Sequence, residues 1–441
     1  MSTHKVAIIG GYGGMGRLFA QLLKEEGWEV TITGPTKEKG KATAKELGVE
    51  YTHDNVKAAK EAEAVIITVP IATTYDGIKE VAPHIKHGGL IMDLTSVKTE
   101  PCRIMDEFAA NGVEILGSHP VFGPRVRGFE GQPVVLTPIR GKKGAHRITT
   151  ILHKKRARVI TTTPDEHDRV MAVVQGLTHF AYISVGKTLC DLQFNVKESR
   201  EYASPVYDLM LDMIGRIIGQ DPHLYAEIQL YNPYTGLVHE TFMSAAESLS
   251  NGLESRDEDG FVSAMVKAAR HFGDVDEAMG RSDKAIAGLV AEIVALKERI
   301  GRQVAVAHIY SGAVHLGTVE SVTAHDLTLR DGDKTKTLKL SNLRLLPDGE
   351  LKRLRAEKSG VAERNYSVLL PASCDEHYIT ELLIQSVDLA VSVKAKDVYT
   401  GPQVPDGKKS VFFTVNLIRD DVKEGDRKTL EFFRKIGGII R

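Results

Sequence analysis

Residues 5–16 constrain this chain more than any other stretch. Lys5-Val6-Ala7-Ile8-Ile9-Gly10 is a short apolar run of the kind buried inside a parallel sheet. It leads without a spacer into Gly11-Tyr12-Gly13-Gly14-Met15-Gly16, a G-x-G-x-x-G pattern. A helix-like segment follows, with Leu18, Phe19, Leu22 and Leu23 on one face. Gly27 closes it, and Trp28-Glu29-Val30-Thr31-Ile32-Thr33 reads as a second strand. Gly11 permits the tight turn, Gly13 lets the backbone approach a pyrophosphate, and Gly16 lets helix close on strand. The amides of Gly14 and Met15 then stand at a helix N-terminus, where an anion is favoured. A glycine pattern alone says little; in this strand–loop–helix–strand frame it specifies a dinucleotide site.

The second strand runs into Gly34-Pro35-Thr36-Lys37 instead of ending on Asp or Glu. An acid there would accept the ribose 2′-OH of NAD, whereas Thr36 and Lys37 suit a 2′-phosphate. The cofactor expected is NADP or NAD, with NADP favoured. Lys37 also fits as the solvated first turn of a helix over Lys37–Leu47. The α/β alternation continues through a strand from Ala64 to Pro70, with Pro70 where the cofactor would pass. A helix over Tyr75–Ile85 and a strand over Gly89–Leu94 follow. That strand delivers Thr95-Ser96-Val97-Lys98 to the carboxyl edge of the sheet, where ligands of open α/β sheets collect. Ser96 there serves equally well as a helix N-cap. Residues 1–163 are therefore read as a Rossmann-type dinucleotide-binding domain.

Val113 to Leu116 reads as a further strand ending at Gly117, followed by Ser118-His119-Pro120-Val121-Phe122-Gly123-Pro124. This puts an imidazole at the mouth of the sheet on a loop stiffened by two prolines. Histidine is the usual group for taking a proton near neutral pH.

The remaining length decides the domain plan. A chain of 441 residues exceeds what one core organises, so about two to four domains are expected. From His167 to about Arg302 the pattern is helical, with breaks at Asn232-Pro233, Asn251-Gly252 and Gly280. Ile286, Leu289, Ile293, Leu296 and Ile300 form a stripe at three- and four-residue steps, suited to a dimer seam or a core face. Residues 164–302 are read as an all-helical substrate and dimerisation domain. Short strands at Val304–Tyr310, Gly317–Val319, Leu327–Leu329 and Thr337–Leu340 suggest a small β-barrel-like module over 303–346. Residues 365–441 read β-α-β-β-α-β, the ferredoxin-like order. Amino-acid-binding regulatory modules share that layout; a spacer or oligomerisation module fits it as well.

A formal net charge of -1 and a pI near 7.0 supply no field for nucleic acid or a membrane surface. Cys102, Cys190 and Cys374 are too scattered for a disulfide framework or a metal site and fit a reducing compartment. Met1-Ser2-Thr3-His4 leaves no room for a signal peptide before the first strand, and no apolar run is long enough to span a bilayer. A cytoplasmic protein is expected.

Several blocks together resemble the prephenate dehydrogenase family of tyrosine biosynthesis. They are Gly10 to Arg17, Asp93-Leu94-Thr95-Ser96-Val97-Lys98 and His119-Pro120-Val121-Phe122-Gly123-Pro124. Glu166-His167-Asp168, Gln175-Gly176-Leu177-Thr178-His179-Phe180, Ser204-Pro205-Val206-Tyr207 and Met213-Ile214-Gly215-Arg216 follow in order, over roughly the first 280 residues. The resemblance implies a dinucleotide domain followed by a helical domain that forms a homodimer, and prephenate as substrate. It implies His119 as the base, Ser96 as its hydrogen-bonding partner, and His179, Arg216 and Lys98 as substrate-side groups. The chain carries Asp208 where some relatives have Arg, and no mutase segment stands in front. Arogenate is the alternative substrate. A β-hydroxyacid dehydrogenase or imine reductase is the enzymatic rival, although Lys187 is followed by Cys190 where the former carries Asn. A nicotinamide-sensing regulatory protein is the non-catalytic rival.

Overall fold

The structure is a computed structural model and describes residues 4–126, 128–323 and 325–441. Met1, Ser2 and Thr3, on which the absence of a leader was read, lie outside the described residues, as does the side chain of Leu289. Two compact units divide the chain, Met1–Gly273 and Asp274–Arg441.

The first unit opens with β1 (Lys5–Ile9), α1 (Gly14–Glu25), β2 (Glu29–Thr33), α2 (Lys37–Leu47), β3 (Glu50–Thr52) and α3 (Asn55–Glu61). It continues through β4 (Ala64–Ile67), α4 (Ile71–Val81), β5 (Leu90–Asp93), α5 (Thr99–Phe108), β6 (Glu114–Pro120), β7 (Pro133–Arg140), α6 (Lys143–Lys154) and β8 (Arg158–Thr161). The strands form one sheet in the order β3-β2-β1-β4-β5-β6-β7-β8. It is parallel from β3 to β6, β7 runs antiparallel to β6, and β8 is parallel to β7. Alternate residues feed two cores: Val6, Ile8, Ile66 and Met92 pack with Phe19 and Leu23 on one face. Ala7, Ile9, Val65, Ile67 and Ile91 pack with Ile78 and Met105 on the other. Burial on both faces is why these strands read as unbroken apolar runs. The chain leaves β1 toward β2 and returns across it to β4, so the crevice lies at the carboxyl ends of β1 and β4.

Two local expectations are corrected. α4 begins at Ile71, not Tyr75, because Pro70 (φ -53) lacks an N–H to donate and stands naturally just before a first turn. β6 does not end at Gly117: it runs on to Pro120, with His119 opposite Val135 of β7. The antiparallel partner, invisible in a local reading, makes His119 a buried strand residue.

Helices complete this unit: α7 (Pro164–Met171), a π-helical turn (Ala172–Leu177), α8 (Thr178–Asp191), α9 (Val196–Ser199) and α10 (Pro205–Ile218) come first. α11 (Pro222–Tyr231), α12 (Thr235–Glu254) and α13 (Glu258–Phe272) follow. Thr163 and Ser204 cap α7 and α10 by accepting the Glu166 and Tyr207 amides, each with proline in the first turn. The break at Asn232-Pro233 separates α11 from α12, but α12 runs through Asn251-Gly252. A lone helical glycine costs only about 1 kcal/mol and does not stop a helix by itself. Between Thr178 and Phe272, among the described residues, only Leu211, Ile214, Ile228, Asn232 and Thr235 are buried. Leu230 and Leu237 are 78% and 69% exposed.

In the second unit, α14 (Val275–Lys297) also runs through Gly280. It groups with the β-rich half, although the helical pattern itself continues to Lys297. Leu296 packs with Val304, Val306 and Val319, while Ile300 is 52% exposed; the stripe thus docks one end on a sheet. That sheet comprises β9 (Gln303–His308), β10 (Val314–Val322), β11 (Asp326–Asp331), β12 (Lys334–Lys339) and β13 (Leu343–Leu345). Its order is β12-β11-β10-β9-β13, with no pairing of β12 to β13 among the described residues.

After α15 (Asp348–Ser359) come β14 (Val361–Pro371), α16 (Glu376–Ser386), β15 (Ala390–Tyr399), β16 (Lys408–Ile418), α17 (Val422–Lys435) and β17 (Ile439–Ile440). The order β15-β16-β14-β17 is that of the ferredoxin-like fold, closed over Val368, Leu383, Phe413 and Phe433. Among the described residues no helix is long and apolar enough to cross a membrane.

Candidate active site

The glycine turn is built by contact. A Cβ on Gly16 would lie 2.6 Å from the Gly11 Cα, so only glycine lets α1 close on the strand end. A Cβ on Gly14 would lie 2.6 Å from Cγ of Pro124, so the His119–Pro124 segment packs directly on the glycine turn. Gly13 is the N-cap of α1 and its amide donates to Gly10 O at 2.9 Å. No side chain caps α1, which leaves the first-turn amides around Gly14 and Met15 open to an anion. This cradle fits a dinucleotide pyrophosphate. Pro70, exposed, stands at the end of β4 on the same sheet edge. Thr36 is the N-cap of α2 but its side chain caps nothing, and Lys37 is exposed.

His119 is 2% exposed, and its two ring nitrogens have separate neighbours. Nδ1 lies 2.9 Å from His167 Nε2, and Nε2 lies 3.4 Å from the amide nitrogen of Gln175. His167 Nδ1 lies 2.7 Å from Asp168 Oδ1. The Asp168 carboxylate in turn accepts the Lys98 amide at 2.7 Å and the Thr99 amide at 2.8 Å, at the open start of α5. Asn232 closes the cluster by donating to Asp168 O at 2.7 Å.

Burial, reinforced by His167 and the Lys98 charge, pushes the His119 imidazole well below its ordinary value, so it stays neutral. Burial also lowers His167, partly offset by its hydrogen bond to Asp168. For Asp168, burial opposes ionisation, but hydrogen bonds from His167 and Thr99 outweigh it and hold the carboxyl below the usual carboxylate range.

The Lys98 side chain is fully buried and ion-paired with Asp93, with Thr95 beside it. Its charge disfavours the His119 imidazolium. Ser96 is half-buried in the turn between β5 and α5, and no hydrogen bond among the described residues joins it to His119. Nor is it the α5 N-cap; that position is Lys98, and the capping acceptor is Asp168 from another helix.

His179 follows Gln175 by four residues, Gln175 in the π-helical turn and His179 in α8. Gln175 Oε1 and His179 Nδ1 are buried without a partner among the described residues. Buried polar atoms rarely go unpaired, so two orphans one turn apart mark a place for a polar ligand. Burial lowers the His179 imidazole to about 4. Its ring packs on Tyr225 at 4.5 Å between centroids. Arg216 acts on the same tyrosine, its charge opposing the rise that burial causes in the phenol. Arg216 is exposed and has no carboxylate partner among the described residues, whereas Asp208 is held by Arg200 at 2.9 Å. Gln175 thus meets His119, and His179 meets Tyr225, whose phenol also feels the Arg216 charge.

The sequence reading assigned no role to His167, Asp168, Gln175 or Asn232. The available signal was an adjacent His-Asp pair in the first turn of a helix, followed by a glutamine one turn before His179. The π-helical turn that sets the phase of Gln175 has no sequence signature, and such turns gather at functional sites.

Residues 19–161 match the family model described as prephenate dehydrogenase, nucleotide-binding domain, and residues 163–267 match that described as prephenate dehydrogenase, dimerization domain. A protein of Methanocaldococcus jannaschii named probable arogenate/prephenate dehydrogenase is 40% identical over 441 residues, covering 99% of this chain and 98% of that one. The similarity therefore extends through the β-rich and ferredoxin-like modules. The T-protein of Haemophilus influenzae is 32% identical over 274 residues, covering 62% of this chain and 68% of that one. A crystal structure of prephenate dehydrogenase from A. aeolicus with hydroxyphenyl propionate and NAD+ superposes with a TM-score of 0.51 at 20% identity. It covers 62% of this chain and 99% of that one, a likeness of fold.

The Lys98–Asp93 pair gives a stability prediction. Lys98→Met leaves Asp93 buried and uncompensated, which should lower the unfolding free energy by about 3–5 kcal/mol in urea denaturation. A loss under about 1 kcal/mol would mean that the pair is solvated in solution.

Proposed function

This chain belongs to the prephenate dehydrogenase family, an NAD(P)-dependent dehydrogenase family of tyrosine biosynthesis, and we propose that its own reaction converts prephenate to 4-hydroxyphenylpyruvate and CO2. The observation that carries the reading is a neutral, buried imidazole on a segment packed against the glycine turn. His119 Nε2 takes the proton of the ring hydroxyl. The C–H electron pair leaves that carbon as hydride, the ring carboxylate departs as CO2, its bonding electrons complete the aromatic ring, and the His119 imidazolium returns the proton to the phenolate oxygen. NAD(P)+, when bound, supplies the hydride acceptor. The protein's share is orientation, one proton and the grip on two carboxylates. Arg216 suits one carboxylate, since its planar fork pairs bidentately with such a group. His179 and Gln175 offer the polar lining beside it, and Ser96 stands close by at the sheet edge.

NADP is the preferred cofactor in this reading. The uncapped start of α2, Thr36 and Lys37 favour a 2′-phosphate over a ribose hydroxyl that wants an acid. The working form is a homodimer through the helical region, whose apolar side chains between residues 178 and 272 lack cover within one chain.

Following absorbance at 340 nm with prephenate or arogenate, against NAD+ and NADP+, tests the function. Turnover with prephenate and NADP+ is expected to be highest; turnover with neither substrate would leave only a nucleotide-binding protein. His119→Asn should bind cofactor normally and lose about 10²–10⁴-fold in turnover, the usual worth of a general base. A near-normal rate would end the assignment. The imidazole must be neutral to act and its pKa is depressed, so kcat/KM should stay level as pH falls to 6.5 and drop only below it. An acid limb centred above that value would contradict the burial. Arg216→Ala should raise KM strongly with kcat little changed, as when a ground-state contact is lost; an unchanged KM places the carboxylate elsewhere.

A further inference from the structure

We propose that Asp168 and His167 are positioning residues that fix the tautomer of His119, keeping its proton on Nδ1 and its Nε2 lone pair free for the substrate hydroxyl. The argument needs only donors and acceptors. An ionised carboxylate can only accept, so His167 Nδ1, 2.7 Å from Asp168 Oδ1, must carry a hydrogen. A neutral His167 then presents Nε2 as an acceptor. That atom is 2.9 Å from His119 Nδ1, which must therefore be the donor. The Nε2 of a neutral His119 is left unprotonated, and the Gln175 amide at 3.4 Å is a donor suited to meet it. One carboxylate thus sets the polarity of two imidazoles.

The carboxylate is itself well anchored. Its oxygens take the Lys98 and Thr99 amides at the start of α5, and its backbone carbonyl holds Asn232. The depressed pKa of Asp168 keeps it ionised near neutrality, and burial keeps both imidazoles neutral until substrate arrives. When the substrate O–H bond breaks and an N–H bond forms at His119 Nε2, the ring becomes a cation beside the buried Lys98. His167 Nε2 and the Asp168 charge behind it then stabilise that cation, as an acceptor and an anion aligned on its far side. No proton need travel along the chain in this step.

The inference rests on His119 being the base, but its test is separate. Long-range proton–nitrogen NMR of the whole protein with nitrogen-labelled histidine reads each tautomer without any mutation. His119 and His167 should both be Nδ1–H; an Nε2–H form of His119 overturns the proposal even if His119→Asn is inactive. Asp168→Asn, nearly isosteric, should lower kcat by about 10²-fold or more with little change in KM. Replacing a carboxylate in direct contact with a catalytic imidazole by its amide costs up to about 10⁴-fold, and here one imidazole intervenes. It should also convert part of His119 to Nε2–H. A purely structural role would lower the melting temperature while leaving kcat and the His119 tautomer unchanged, and that result too would overturn the proposal. His167→Gln provides the same readout one link closer, and an unchanged kcat in that folded variant counts against it equally.

Discussion

The close approach of Gly14 to Pro124 is the contact on which the rest of the site depends. A single methyl at position 14 would overlap the proline ring, so the turn that opens α1 and the segment that leaves β6 are in direct touch. The open amides of one and the imidazole of the other are thereby fixed in a common frame. Phe122 extends the attachment through Phe129 to Phe19 of α1 by edge-to-face ring contacts. Apolar packing of this kind positions more reliably than a flexible loop would.

Behind the imidazole lies a second layer, and it is polar. The dry Lys98–Asp93 pair, the Asp168 carboxylate at the start of α5 and the His167 ring join the end of β5, α5 and α7 into one network. Burying so many charged groups is costly, and such groups persist where each has partners. Their combined effect here is to hold His119 in one orientation in its neutral form. Nearby, Gln175 Oε1 and His179 Nδ1 are left without partners among the described residues.

Much of this was legible in the sequence, because local rules were sufficient. The glycine turn, the parallel strands and the ferredoxin-like order all follow from periodicity and turn residues within short windows. His119 was legible as a candidate, yet its strand was cut short at Gly117 because the pairing with Val135 is non-local. The burial of Lys98 was hidden for a related reason. An ammonium at a sheet edge looks solvent-facing until Asp93, five residues earlier, is seen to turn inward beneath it. His167 and Asp168 gain meaning only when α7 is brought against α5, which no spacing rule reveals. The glycines of α12 and α14 warn of the opposite error, since Gly252 and Gly280 look like breaks but lie inside continuous helices.

The account stands on a single spatial relation, an anion cradle and a proton acceptor set on the same crevice. A crystal structure of the full chain with bound NAD(P)+ measures it most directly. The pyrophosphate should lie on the amides of Gly14 and Met15, with the nicotinamide ring toward His119 and room for one six-membered ring between C4 and Nε2. A nicotinamide turned to solvent, or separated from His119 by packed protein, would contradict it.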